Sequence, residues 1–198
     1  MSLIVGIDLS LRSTGICAVD FKGNLIDFTL IQSDSKTLND EELLQYNSTE
    51  IVNFTDKIWR ANQYLGVKAA VEHPEWVLSK IIIEGLSFGG ISGNKDILQG
   101  NFWVLRTKLK EFGRDIPIEI CPVTKWRSKV ISKVEQREAK KNDPKNGLKL
   151  ACVEKLPSDV RDRFEKYLDE NGIKRTKSKD PLWDICDAYW ISKHGTSN

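Results

Sequence analysis

Four carboxylates stand where a carboxylate is expensive to keep. Asp8 closes the apolar run Ile4 Val5 Gly6 Ile7, and Glu84 closes Ile81 Ile82 Ile83 just before Gly85. Asp184 and Asp187 are the only charges in an otherwise apolar stretch from Leu182 to Ile191. A charge at the end of a buried strand must be paired or bound to a metal to offset its desolvation. Alone, Asp8 would do no more than cap the turn made by Ser10, Ser13 and Gly15. The other acids change that reading. Asp184 and Asp187 lie three residues apart and so share one face of a buried helix. A helix dipole accounts for one acid in the first turn but not for a second a full turn deeper. Crowded together, the four would repel one another and rise in pKa, and a cation removes that cost. With no His or Cys in the set, the donors are all oxygen, which suits Mg2+ or Mn2+. The chemistry open to such a set is hydrolysis of a phosphodiester with two ions about 3.5–4 Å apart and no protein nucleophile.

The elements that must position these acids can be read along the chain. Residues 3–7 are apolar on both faces, as in a strand at the centre of a sheet covered by helices. Residues 15–21 and 25–31, joined by the turn signal Lys22 Gly23 Asn24, add two antiparallel strands. Residues 33–47 are polar and acidic and read as a loop. Ser48 or Thr49 then caps a helix with Ile51, Phe54, Ile58 and Leu65 at helical spacing, broken at His73 Pro74. A strand ending at Glu84 that pairs in parallel with the first brings Asp8 and Glu84 to the same sheet end, where open α/β sheets collect ligands. A glycine-rich loop with Phe88 follows, then a helix from Asn94 or Asp96 to Gly113 and a fifth strand at 116–121. Helices are expected at 148–156 and 158–168. Asp180 Pro181 reads as an N-cap with proline at the first position of the last helix. The expected architecture is α/β, a mixed five-stranded sheet of three antiparallel strands and two parallel ones, flanked by helices.

The 198 residues suit one domain, residues 1–198, with a basic insertion at about 124–149. Lys plus Arg is 30 against Asp plus Glu 28, a net charge of +2, so any preference for a polyanion must be local. Between 124 and 149 the bases Lys125, Arg127, Lys129, Lys133, Arg137, Lys140, Lys141, Lys145 and Lys149 face only Glu135, Glu138 and Asp143. That local excess beside a carboxylate site suits a polyanionic substrate, and Trp126 among the cations offers a ring to stack on a base or sugar. The alternative is a solvated loop. A second basic patch spans 174–179. Cys17, Cys121, Cys152 and Cys186 have no paired spacing, which argues for reduced thiols and against a disulfide frame or a zinc site. No apolar run approaches the roughly 20 residues of a membrane span, and the start of the chain lacks a signal-peptide pattern. The expectation is a soluble cytoplasmic protein with no membrane partner.

The run Gly6 to Gly15 (Gly-Ile-Asp-x-Ser-x-x-x-Thr-Gly), the strand end Ile82 Ile83 Glu84 and the terminal Asp184-x-x-Asp187-Ala188 together resemble the RuvC-like Holliday junction resolvases of the RNase H-like nuclease superfamily. The resemblance covers nearly the whole chain, in order and spacing. It implies an RNase H-like fold and a homodimeric, structure-selective endonuclease that cleaves four-way DNA junctions with two Mg2+ per site, Mn2+ substituting. It implies that Asp8, Glu84, Asp184 and Asp187 are the metal ligands. It also implies basic substrate contacts, for which Lys125 or Arg127 and Lys145 or Lys149 are candidates, and Phe88, Trp126 and Lys129 are further candidate DNA contacts from their own place in the sequence. The family's aromatic probe lies three residues past the strand-end acid; here that is Ser87, with Phe88 one further, and the basic segment is longer than usual from 128 to 145. Two other classes compete: a nuclease of the same fold acting on RNA, and an ATP-binding protein of the actin and sugar-kinase kind. The latter needs two such lobes and a second glycine-rich phosphate loop.

Overall fold

Alternation along the strands decides which side of the sheet each carboxylate faces. In a computed structural model describing residues 2–10, 12–33, 38–69, 77–85, 95–111, 116–176 and 180–196, β1 (Ser2–Asp8), β2 (Ser13–Asp20), β3 (Leu25–Gln32), β4 (Val77–Glu84) and β5 (Ile118–Cys121) form one sheet. The order is β3-β2-β1-β4-β5. β1, β2 and β3 pair antiparallel, while β4 runs parallel to β1 and β5 parallel to β4. This is the mixed five-stranded sheet expected from the pattern of apolar runs.

Two cores sandwich it. Leu3, Val5, Ile7, Ile16, Ala18, Ile81 and Ile83 pack against Ile51, Phe54 and Ile58 of α1 (Asp40–Ala69) and Phe102, Leu105 and Leu109 of α2 (Lys95–Glu111). Ile4, Cys17, Val19 and Ile82 pack on the other side, with α7 (Leu182–His194) directly over them. Successive side chains of a strand point to opposite faces, so Asp8 follows Ile4 and Gly6, and Glu84 follows Ile82, onto the α7 side. α7 is apolar nearly all round, with Leu182, Trp183, Ile185, Cys186, Ala188, Tyr189 and Ile191 buried. Each large apolar side chain so buried contributes about 1.5–3 kcal/mol. The helix is therefore a fixed beam, and the acids on it are held where its packing puts them.

Several element boundaries differ from the sequence reading; β2 begins at Ser13, the helix expected at 148–156 ends at Glu154 and the one expected at 158–168 runs on to Glu170. α1 starts at Asp40, well before Ser48 or Thr49, because Asn39 caps it: Asn39 Oδ1 accepts the Glu42 N–H at 3.0 Å and Glu42 Oε2 accepts the Asn39 N–H at 2.8 Å. Ser48 is instead buried inside the helix. β5 begins at Ile118, two residues later than expected. α7 begins at Leu182 with Pro181 in the cap position; Asp180 lies one residue further out, where it accepts the Leu182 N–H at 3.0 Å and pairs with Arg175. His73, Pro74, Phe88, Asn94, Gly113, Lys177 and Lys179 lie outside the described residues.

The basic stretch 124–149 is helical rather than a solvated loop. It comprises most of α3 (Val123–Val130), all of α4 (Lys133–Asn142) and the start of α5 (Gly147–Glu154), ahead of α6 (Ser158–Glu170). Ser132 and Glu135 form a reciprocal capping box at the start of α4. Lys155 beside Glu135, aided by Ser132, holds its carboxyl down at about 2. Asp143 Oδ1 accepts the N–H groups of Lys145 and Asn146, tightening the turn into α5. Among the described residues no helix is long and apolar enough to cross a membrane, and the four cysteines are buried and free.

Candidate active site

Asp8 and Glu84 are the last residues of neighbouring parallel strands, with Ile7 paired to Ile83 just before them. Their carboxyl groups lie close enough for the charge of Glu84 to act on Asp8. Asp184 and Asp187 reach the same spot from the first half of α7. Burial, followed by the charges of Glu84, Asp187 and Asp184, pushes the Asp8 carboxyl well above the usual carboxylate range. Burial also pushes Asp187 up to about 7, against the pull of Arg127 and with Glu84 adding to it. The sheet and α7 have thus brought together all four acids expected from the sequence.

The basic helices close the site from the side. α3 begins right after β5, whose Cys121 pairs with Glu84. Arg127 on α3 places Nη2 3.6 Å from Asp187 Oδ2. Lys149 on α5 places Nζ 3.6 Å from Asp184 Oδ1. Burial would neutralise Lys149, yet Asp184, Asp187, Asp8 and Glu84 together keep its pKa raised. Lys125 and Lys129 on α3 and Lys145 in the turn before α5 are exposed, Lys129 lying beside Lys193 and His194 at the other end of α7. Trp126 departs from expectation. It is fully buried, with its Nε1–H donating to Glu84 Oε1 at 3.1 Å, so its ring offers no open face to a base. Residues 123, 126 and 130 fall on one face of α3, and that spacing is the signal for burial. Ser13, which sequence reasoning used only as a turn residue, donates its Oγ–H to Asp184 Oδ2 at 2.5 Å.

Four carboxyl groups here face two cations, an excess of two negative charges when all are ionised. Asp187 Oδ1 is buried with no hydrogen-bond partner. An all-oxygen cluster with an orphaned buried acceptor and surplus negative charge fits a hard divalent cation. As placed, no three His, Cys, Asp or Glu side chains among the described residues surround a common cation position; Asp184 turns to Ser13 and Lys149, and Asp187 to Arg127. A cation held there would compete with those ion pairs for the carboxylates.

The raised carboxyl pKa of Asp187 makes stability depend on pH in a defined direction. In the unfolded chain it ionises near 3.8, in the native state near 7. Between those values the native state holds the extra proton, so its stabilising effect is complete below about pH 4 and fades as pH rises through about 7. Each proton held in excess gives a slope of about 1.4 kcal/mol per pH unit. Asp187→Asn removes this contribution, and urea unfolding in EDTA from pH 4 to 8 should show the variant gaining on the parent as pH rises. Parallel profiles would mean that the native carboxyl titrates normally.

The topology is that of the RNase H-like fold. RuvC of Thermus thermophilus, in a structure with Holliday junction substrate, is similar over 98% of this chain and 92% of its own, at 10% identity and a TM-score of 0.51. Another structure of T. thermophilus RuvC matches over 97% and 92%, at 11% identity and a TM-score of 0.51. The yeast mitochondrial Holliday junction resolvase Ydc2 is similar over 98% of this chain and 79% of its own, at 12% identity and a TM-score of 0.46. No family model and no curated protein matches the sequence. The chain has a RuvC-like fold.

Proposed function

We propose that this protein is an endonuclease that cleaves branched DNA, with four-way junctions as its principal substrate, by metal-dependent hydrolysis of a phosphodiester. The observation that carries the reading is the convergence of Asp8, Glu84, Asp184 and Asp187, with Asp187 Oδ1 left unpartnered in a buried site. These four side chains would hold two Mg2+ or Mn2+ ions, which when bound supply Lewis-acid activation of water and stabilisation of the departing oxygen. Arg127 and Lys149, released from Asp187 and Asp184, turn their charge to the non-bridging oxygens of the scissile phosphate. Lys125, Lys129 and Lys145 contact flanking phosphates, which position the duplex arms without reading sequence. The substrate class is supported by likeness to a RuvC structure that contains Holliday junction DNA. A junction has two-fold symmetry, so paired cuts call for a homodimer. Trp103, 53% exposed on α2, with Arg106 stacked on its ring, is the patch we assign to that interface. Free cysteines suit a reducing compartment, and we place the protein in the cytoplasm.

The test is to present labelled four-way junction, flap, linear duplex and RNA substrates with Mg2+, with Mn2+ and with excess EDTA. Paired incisions in the junction, dependent on the cation and made by a species of dimeric mass in light scattering, are expected. Undiminished cleavage in EDTA would refute the metal site. Cleavage of RNA alone would move the substrate to the other nucleic acid.

A further inference from the structure

Two neutral hydrogen-bond donors reach into the carboxylate cluster, and the cleavage chemistry itself assigns neither a task. One is the Trp126 indole, whose Nε1–H meets Glu84 Oε1 at 3.1 Å. An indole N–H is a donor only, and a fully buried one needs an acceptor; here Glu84 is that acceptor. The other is the Ser13 hydroxyl on Asp184 Oδ2. Ser13 is 4% exposed and firmly held. Its N–H donates to Ser10 Oγ at 3.0 Å, its carbonyl accepts from the same hydroxyl at 2.9 Å, and the Thr14 hydroxyl donates to the Ser10 carbonyl at 2.8 Å. The turn between β1 and β2 is thus a hydroxyl-braced platform that aims one side chain at α7. Trp126 is braced in turn by the Arg127 guanidinium, 4.8 Å from its ring centroid.

We propose that Ser13 and Trp126 are positioning residues that orient Asp184 and Glu84 and thereby set the affinity of the site for a divalent cation. This rests on the metal-binding reading above and deepens it. Each donor occupies one oxygen of its carboxylate, and on Asp184 the other oxygen carries the Lys149 ion pair. Neither carries a positive charge that a metal would have to displace, as Lys149 and Arg127 do. Partners of this kind fix ligand geometry, and losing one typically lowers metal affinity 10–100-fold, as an order of magnitude.

The experiment is Mn2+ binding to the full chain without DNA, read from the free-ion electron paramagnetic resonance signal, with thermal unfolding in EDTA measured alongside. Ser13→Ala and Trp126→Phe are each expected to weaken Mn2+ binding about tenfold or more. Ser13→Ala, which removes one oxygen atom, should unfold within a few degrees of the parent. A purely structural role would lower the unfolding temperature and leave the Mn2+ affinity of the folded variant at the parent value; that result, for Ser13→Ala alone if Trp126→Phe does not fold, overturns the inference. A parent protein that takes up no Mn2+ overturns the metal-binding reading and this inference with it. A parent that binds, with variants binding equally well, overturns this inference alone.

Discussion

Asp187→Asn should cut junction DNA at about a thousandth of the parent rate or less while remaining folded and still binding DNA. The substitution keeps the shape of the side chain and removes a charge from the most crowded part of the site. A factor of 10³ corresponds to about 4 kcal/mol of transition-state stabilisation, which the loss of one ligand of a catalytic ion readily supplies. Folding survives because burying one fewer like charge relieves the repulsion that lifts Asp8 and Asp187. Arg127 loses its facing carboxylate in the variant, yet three acids remain around it and Lys149, so no cation is stranded in a neutral pocket. DNA binding should persist because the proposed phosphate contacts include exposed lysines outside the carboxylate cluster. Single-turnover cleavage of a labelled junction gives the rate, and fluorescence anisotropy the affinity. A rate within tenfold of the parent would make Asp187 a structural residue and leave the cation to the other three acids.

The carboxylates were legible because each breaks a local rule. Asp8 and Glu84 end strands that are otherwise wholly apolar, and Asp187 interrupts a helix that is buried almost all round. Consistency at every other position makes such exceptions visible. The start of α1 was hidden for the opposite reason. Among its first residues Leu43 is the one large apolar side chain fully buried, and the buried positions a turn later are Asn47 and Ser48, so no apolar period of 3.6 exists to be read. The signal present was chemical, Asn39 three residues before Glu42. Trp126 was misplaced because its neighbours in sequence are cations, while in space it belongs to the core on the α7 side of the sheet and meets Glu84 at the end of β4. Long basic side chains can leave a buried ring between them on a helix, since residues i and i+1 do not share a face. Arg127 and Lys149 were read as candidate substrate contacts on a basic segment, and sequence could not reveal that both point inward at the acids. Their reach depends on α3 and α5 docking against α7, which is a tertiary fact.

Gly15 is among the described positions with no room for a single added carbon. It pairs with Asp8 across β1 and β2, and on the same face of the sheet the backbone of α7 passes directly above it. A Cβ there would run into the Asp184 carbonyl group and the Ile185 nitrogen, all backbone atoms that no side-chain rotation can move aside. Gly15→Ala must therefore lift the first turn of α7 or push β2 out of register. Overpacking of this kind typically costs about 1–3 kcal/mol. The functional cost should be larger than the stability cost, because the displaced turn carries Asp184, with Asp187 one turn further on, while Asp8 and Glu84 stay with the sheet. A shift of about 1 Å between groups that must act together costs on the order of 10²-fold in rate. Gly100→Ala is the matched control: it lies inside α2, where a Cβ meets only Leu44 Cδ1 at 3.7 Å, and replacing a helical glycine should stabilise by about 1 kcal/mol. Thermal unfolding and junction cleavage, the latter measured well below both transitions, should separate the two variants. Gly15→Ala should melt lower and cut at least about a hundredfold more slowly, and Gly100→Ala should melt higher and cut like the parent. If Gly15→Ala keeps both the parent melting temperature and the parent rate, α7 does not lie against β2 as described, and the carboxylates on it must reach the site from elsewhere.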